Sequence, residues 1–548
     1  MFLHVKESFL DVKESPLDVK EDFLEVKGMF LEVKEEFLEM KKKKENVKMD
    51  KTSVIFGNVI DKKTLKRAAA SQKKLLRKFG DDRGKEYHLC CVDNDVLTSA
   101  FGAKVLTLSD KPLDALPEKS IIIGNIRMGF GHYRISMAMA SAARALGYTP
   151  LWLDLNSFKT TTCTKIISYQ NELYSLGSRL SQKSRLFNKL YWEKLNYEGF
   201  KKLTYNAVDQ KNAELMTGVL GDLPRYTPFI ATHVWPSQAA VHAGFSRVVN
   251  AIPDNWAMAL HLSEGALHTV QTPSSYVAYR TLSGFDEKRV LKPMGEGDIA
   301  YVGHYVDDEL VRNIEADCFK RIKRAKEGKP LRFLLTIGGA GAQGDYFASL
   351  IKTLIPYVKD GKAAIYVNIG DYENVWQMFK SKIPELEELS TTHFDVWEET
   401  LSFSQMALDD EDCDTKGSHG VHVFCHKDIF AAVYATNVLM RACDVLVTKP
   451  SELSFYPVPK LFIAHVGGHE KWGAVRSAEI GDGTIEMPNV AHAQSMIKEM
   501  AENRDMVVKM CNSIIAAKKS GIYNGAYHAV ELSIGLDGKE SRYAYAGC

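Results

Sequence analysis

The stretch Ile121-Ile122-Ile123-Gly124-Asn125-Ile126-Arg127-Met128-Gly129-Phe130-Gly131-His132-Tyr133-Arg134-Ile135-Ser136 decides how this chain is read. Three consecutive isoleucines predict a short buried strand. A glycine-bearing loop follows, then an alanine-rich helix over Met137–Leu146 with Gly147 as its C-cap. The next strand, Leu151–Leu155, arrives where a βαβ unit needs it. Such a loop leaves backbone N–H groups at a helix N-terminus, ready to hold an anion or a substrate oxygen. His132 stands at that mouth beside Gly129 and Gly131, where a titratable side chain meets a ligand. The same residues also fit a plain turn beside a surface histidine, so the rest of the chain has to decide.

A second unit of this kind lies further on. Leu331–Ile337 predicts a strand, Gly338-Gly339-Ala340-Gly341-Ala342-Gln343-Gly344 a loop, Tyr346–Tyr357 a helix and Ala363–Ile369 the following strand. The loop contains G-x-G-x-x-G at Gly339, Gly341 and Gly344, the dinucleotide fingerprint. The acidic residue expected at the end of the following strand is late, because that strand closes in Asn368-Ile369-Gly370 before Asp371. A nicotinamide nucleotide and a nucleoside diphosphate against the helix N-terminus therefore both fit the loop. Two such units predict an α/β chain with two Rossmann-like domains facing across a cleft.

Between and after these units, Phe229–His233, Val248–Ile252, Thr269–Thr272 and Ala300–Val306 predict strands of the first domain. An Asp just beyond a parallel strand lies where open α/β sheets bind ligands, which selects Asp254. His233 and His261 stand close to the same strand ends and are expected to converge with His132 and Asp254. A charged helix over Asp317–Glu327 opens the second domain. Val421–Phe424, the helix Ile429–Cys443, Val445–Thr448 and Leu461–Ala464 continue its rhythm, and Ile497–Lys519 predicts a closing helical region. The acidic tract Glu385–Gly420 predicts an irregular surface insertion. After Val445–Thr448 come Lys449-Pro450-Ser451-Glu452, where a lysine can neutralise a leaving diphosphate and a carboxylate can hold the hydroxyls of a ribose. Glu452 equally fits a carboxylate complementing a helix dipole.

The chain has 548 residues and a formal charge of +1, so it has room for several domains and no global basic field for nucleic acid. Its nine cysteines show no paired metal-ligand spacing, which suits a reducing cytoplasmic setting and neither a disulfide framework nor a metal site. No run reaches the roughly 18 apolar residues a membrane span needs. Residues 2–43 repeat with a period of seven (FLHVKES, FLDVKES, PLDVKED, FLEVKGM, FLEVKEE, FLEMKKK), with Phe and Val at the a and d spacing of a coiled coil. That segment reads as a self-associating heptad-repeat helix or as a duplicated tract ahead of a start at Met49. Residues 178–206 carry seven Lys or Arg against two Glu, interleaved with aromatics. They fit a helix lying on an anionic membrane surface, or an ordinary amphipathic helix whose aromatics enter the core.

In order along the chain, GFGHYRIS, IPDNWAMALH, YVGHYV, LLTIGGAGAQG, the stretch from Val421 to Ile463 and GGHEKWGA resemble the motifs of glycosyltransferase family 28. That group includes diacylglycerol galactosyl- and glucosyltransferases and the MurG transferase of peptidoglycan synthesis. The resemblance runs from about Ile121 to about Gly483. It implies a GT-B fold, with an acceptor domain over 49–306, a nucleotide-sugar domain over 307–525 and a polar tail over 526–548. The implied reaction is inverting, metal-independent transfer from a UDP-sugar to an acceptor hydroxyl, lipid-linked if 178–206 meets a membrane from the cytoplasmic side. His132 or Asp254 is the implied base, and Gly129, Gly131, His233 and His261 lie on the acceptor side. The donor falls to Gly338, Gly339, Gly341, Gln343, Lys449, Ser451, Glu452, His469, Glu470 and Lys471. No cofactor is called for, the UDP-sugar being a substrate. Three features depart from the family: the turn before Ser451-Glu452-Leu453 is short, residues 51–120 have no counterpart, and the acidic tract before Gly420 is extra. A UDP-sugar 2-epimerase of the same fold, an NAD-dependent oxidoreductase and a non-catalytic nucleotide-sugar sensor stay open beside the transferase.

Overall fold

The computed structural model describes residues 51–535 apart from 114, 184–185, 187–189, 191–199, 339–342 and 411–415. The heptad repeat, Gly339, Gly341 and about half of the basic-aromatic tract fall outside the described residues, as do residues 536–548.

A small hairpin, β1 (Val54–Ile55) with β2 (Asn58–Val59), precedes the first sheet. That sheet contains β3 (His88–Val92), β4 (Lys104–Ser109), β5 (Ser120–Asn125), β6 (Thr149–Asp154), β7 (Phe229–Ala231), β8 (Val248–Ala251), β9 (Leu267–Val270) and β10 (Ile299–Tyr301). Its order is β10-β9-β8-β7-β5-β6-β4-β3, and only β3 with β4 is antiparallel. The second sheet contains β11 (Leu331–Thr336), β12 (Ala363–Asn368), β13 (Ser390–Phe394), β14 (Val421–Cys425), β15 (Val445–Thr448) and β16 (Lys460–Phe462). Its order is β13-β14-β12-β11-β15-β16, parallel throughout.

Every residue of β5 is buried, as a central parallel strand covered on both faces must be. Side chains alternate across a strand, so Ile121 and Ile123 join one apolar cluster while Ile122 joins another on the opposite face. The cluster around Ile121 and Ile123 continues without a break into Phe333, Leu335 and Val447 of the second domain. In each sheet the chain leaves a central strand in one direction and returns on its other side. These reversals fall between β5 and β7 and between β11 and β15. Loops at the carboxyl ends of such strands form the crevice in which open α/β sheets bind ligands.

The helix Gly525–Ile534 crosses back to the first domain and packs on the helix Gly131–Ala145 and on β7 and β8. A Cβ at Gly525 would stand 2.1 Å from the Gly303 carbonyl oxygen, so only glycine allows the helix to start against the segment that follows β10. Two doubly wound sheets with meeting carboxyl edges and a returning helix form the GT-B arrangement.

Several expectations change. The acidic tract over 385–420 is no irregular insertion: it supplies β13 and the helix Trp397–Asp409 and so extends the second sheet. The helix after the first glycine loop begins at Gly131, six residues before Met137, so His132 lies in its first turn. The basic-aromatic tract is not one helix to Asn206. A helix runs over Thr162–Lys183, and a new one, Leu203–Ala213, starts after buried Phe200. The strand expected over 300–306 shrinks to β10, and the closing region splits into Val490–Glu502 and Asp505–Lys519. Residues 526–534, expected as polar tail, belong to the returning helix. Residues 51–120 hold the hairpin, β3 and β4, and widen the first sheet. The seven cysteines among the described residues are free, and no described helix is long and apolar enough to cross a membrane.

Candidate functional site

The reversal between β5 and β7 places two histidines side by side. The His132 and His233 rings meet edge to face, 4.8 Å between centroids. His132 Nδ1 lies 2.6 Å from the Thr232 carbonyl oxygen, which can only accept, so the ring carries its proton on Nδ1 and Nε2 keeps its lone pair. Burial pushes the His132 imidazole toward its neutral form, against the pull of the Thr232 carbonyl and the Asp254 carboxylate. His233 caps the next helix: its Nδ1 accepts from Trp235 N–H at 3.1 Å, which leaves the proton on Nε2. Burial, with His132 and His261 beside it, holds His233 far below the usual imidazole value and therefore uncharged.

Asp254 follows β8, and its Oδ2 lies 3.1 Å from Nε2 of buried His261. Burial opposes its ionisation, but contact with His261 and the nearby His469 and His132 win, holding the carboxyl well below the usual range. The four first-domain residues expected to converge thus do so.

Across the cleft, Lys449 follows β15 and pairs with Glu470 Oε1, while Glu470 Oε2 accepts from Val466 N–H at 2.9 Å and Gly467 N–H at 3.1 Å. Burial would discharge Lys449, but Glu470, Glu452 and Asp254 surround it and raise its pKa. A Cβ at Gly338 would stand 3.2 Å from Lys449 Cε, so the backbone at Gly338 lies against this lysine. Gln343 adopts a left-handed conformation before the helix Gly344–Lys359 and donates from Nε2 to the Ala464 carbonyl oxygen at 2.6 Å. His469 Nδ1 and Trp472 Nε1 are buried without a hydrogen-bond partner among the described residues, as polar groups awaiting a ligand would be. Ser451 lies in the turn after Lys449, and Lys471 is exposed at the start of the helix Lys471–Ile480.

Glu452 is held by an arginine of the first domain. Its Oε1 accepts from Arg134 Nε at 3.2 Å, and a Cβ at Gly131 would stand 3.0 Å from its Oε2. Arg134, 2% exposed, reaches from the first domain to the Val433 carbonyl and Asn437 Oδ1, and Asn437 in turn donates to Asp307 Oδ2 at 2.7 Å. Burial pushes the Asp307 carboxyl up to about 7. Asp371, the late acidic residue of the dinucleotide reading, accepts from Arg127 of the first domain at 2.6 Å. Stacking of Trp256 on Trp472 (5.2 Å, 14°) and donation from Asn255 Nδ2 to the Trp472 carbonyl at 2.9 Å close the opposite end of the cleft.

The sequence reading missed Thr232, Arg134, Asn437, Trp472 and the pair His465–Glu486, whose Nδ1 to Oε2 distance is 2.7 Å. His465 directly follows the strand expected over 461–464, so its position at a strand end was a usable signal.

Two family models cover most of the chain. Residues 54–281 match the domain of unknown function DUF6937, and residues 294–534 match the domain of unknown function DUF6938. No curated protein matches. Among solved structures, the chain is similar to UDP-GlcNAc 2-epimerase from Neisseria meningitidis bound to UDP-GlcNAc. Identity is 13% and the TM-score 0.41, over 76% of this chain and 98% of that one. The S. aureus MnaA–UDP co-structure gives 12% and 0.39, over 78% and 100%. An α,α-trehalose 6-phosphate synthase from Burkholderia multivorans gives 10% and 0.38, over 76% and 98%. None of these likenesses assigns a role to a residue of this chain.

Proposed function

We propose that the chain transfers a sugar, with inversion and without a metal, from a UDP-sugar held by the second domain to an acceptor hydroxyl held by the first. The observation that carries this reading is His132: its Nδ1–H is fixed by the Thr232 carbonyl, and burial keeps the ring neutral. A neutral imidazole with a bare Nε2 is a general base ready at neutral pH. Nε2 takes the acceptor hydroxyl's proton, the oxygen bonds to the anomeric carbon, and the bond from that carbon to the diphosphate oxygen breaks with its electron pair. Asp254, held ionised, stabilises the imidazolium that forms.

Lys449 and the N–H groups of the second glycine loop receive the charge of the departing diphosphate. When Lys449 turns from Glu470 to the diphosphate, Glu470 Oε1 is released to accept from a sugar hydroxyl. Glu452 keeps Arg134 and sets the register of the two domains. Arg127 already occupies Asp371, which weighs against a nicotinamide nucleotide on this loop.

Calorimetric titration of UDP, UDP-sugars and NAD tests the donor side, with Lys449→Met as the control. UDP binding that weakens about tenfold or more in the variant, ~1.4 kcal/mol, supports the assignment. NAD binding without UDP overturns it. Conversion of a UDP-sugar to its epimer with no acceptor present would replace transfer by epimerisation at the same site.

A further inference from the structure

An open cavity of about 440 Å³ lies in the first domain. Its walls are the end of the helix Lys62–Phe79, the loop after β6 and the first turns of the helix Thr162–Lys183. Three lysines line it: Lys78, Lys159 and Lys165. Among the described residues no carboxylate stands within 4 Å of any of their ammonium groups. Glu172 is the one acidic residue in the lining, so the cavity carries a net charge of plus two.

Lys78 is positioned by aromatic rings and not by an acid. Its Nζ stands 3.5 Å from the centre of the Tyr169 ring, which packs against Phe79 at 5.6 Å. A cation held over a π face keeps N–H donors free for a second partner. Asn156 and Ser168 add neutral polar groups to the wall. A phosphate monoester carries between one and a half and two negative charges at neutral pH and offers three acceptor oxygens. It matches the surplus charge, where a single carboxylate matches half of it. The volume leaves room for a small organic body beside the phosphate.

The wall is tied to the catalytic loop. Asn156 Oδ1 accepts from Arg127 N–H at 2.9 Å, and Asn171 Nδ2 donates to the Arg127 carbonyl at 3.2 Å. Arg127 is two residues before Gly129, so the cavity opens on the same carboxyl edge of the first sheet as His132.

We propose that this cavity binds a phosphate monoester, and that the acceptor is a phosphorylated small molecule anchored here. The second half of the assignment rests on the transferase reading; the phosphate site itself does not. The test uses the full chain and calorimetry with glycerol 3-phosphate, inorganic phosphate and glycerol. Glycerol 3-phosphate and inorganic phosphate should bind and glycerol should not. The double variant Lys159→Ala/Lys165→Ala should weaken both phosphates at least about tenfold while leaving UDP affinity unchanged. Both lysines are exposed, so the variant keeps its core. Failure of the wild-type chain to bind either phosphate, or equal binding by the double variant, overturns the site. Loss of UDP binding in the wild type would instead remove the transferase reading and leave the phosphate result to stand alone.

Discussion

On the first-domain side of the cleft, charge is kept low. His132 and His233 are neutral rings whose protons are placed by a backbone carbonyl and a backbone N–H, and Asp254 is the one full charge among them. On the second-domain side Lys449 and Glu470 face each other as opposite charges, half-buried and close. A site that must accept a proton is best served by a group with no charge to lose and a fixed tautomer. A site that must receive a diphosphate needs a cation already desolvated and held by a partner it can exchange. In the proposed transfer the two halves differ because each meets a different part of the reaction.

The largest expected effect comes from breaking the neutral half. His132→Ala should lower turnover by roughly 10²–10⁴ and leave UDP affinity unchanged, a split that steady-state kinetics beside calorimetry resolves. In the wild type the acid limb of the pH–rate profile should lie below about 6.5, the ordinary histidine value, because burial lowers the His132 pKa. The limb should vanish in the variant.

Next in size is the tie between the halves. Arg134→Met leaves Glu452 and Asn437 without their common partner and should cost about 3 kcal/mol of stability, read as a fall in Tm by scanning calorimetry. An unchanged Tm would mean that the two domains keep register through apolar packing alone.

A smaller effect marks the charged half. Contact with Glu486 raises the His465 pKa against the cost of burial, and Glu470 adds to it while Lys471 opposes it. A raised folded-state pKa gives stability that is complete below the unfolded value of about 6.5 and is lost as pH rises through the folded value. The Tm gap between wild type and His465→Asn should therefore be widest in mild acid and narrow as the pH rises above neutrality. A gap that widens instead would reverse the assignment. Smallest of all, Arg127→Ala removes an ion pair in which the arginine is 43% exposed, and should cost no more than about 0.5 kcal/mol.

The parallel strands and the first glycine loop were legible because apolar runs ending in glycine leave a local signature, and His132, Asp254 and Lys449 were singled out because they stand at the ends of such runs. β13 was missed because Ser390-Thr391-Thr392-His393-Phe394 is an edge strand with one side in water and a single large apolar residue. The first turn of the helix at Gly131 was missed because glycine and histidine form helices poorly and packing overrides that preference. Thr232 acts through its carbonyl, which no side-chain pattern reports. Arg134 and Glu452 lie 318 positions apart, so nothing local in the chain announces their meeting.

The returning helix Gly525–Ile534 has a consequence for synthesis. Ala526, Tyr527 and Val530 share one apolar cluster with Ile121, Ile135 and Ile230. A ribosome that has finished the first domain has therefore made a sheet with part of its cover still untranslated, and more than two hundred residues must follow before that cover arrives. Through that interval the nascent first domain offers an oily flank to chaperones or to other nascent chains.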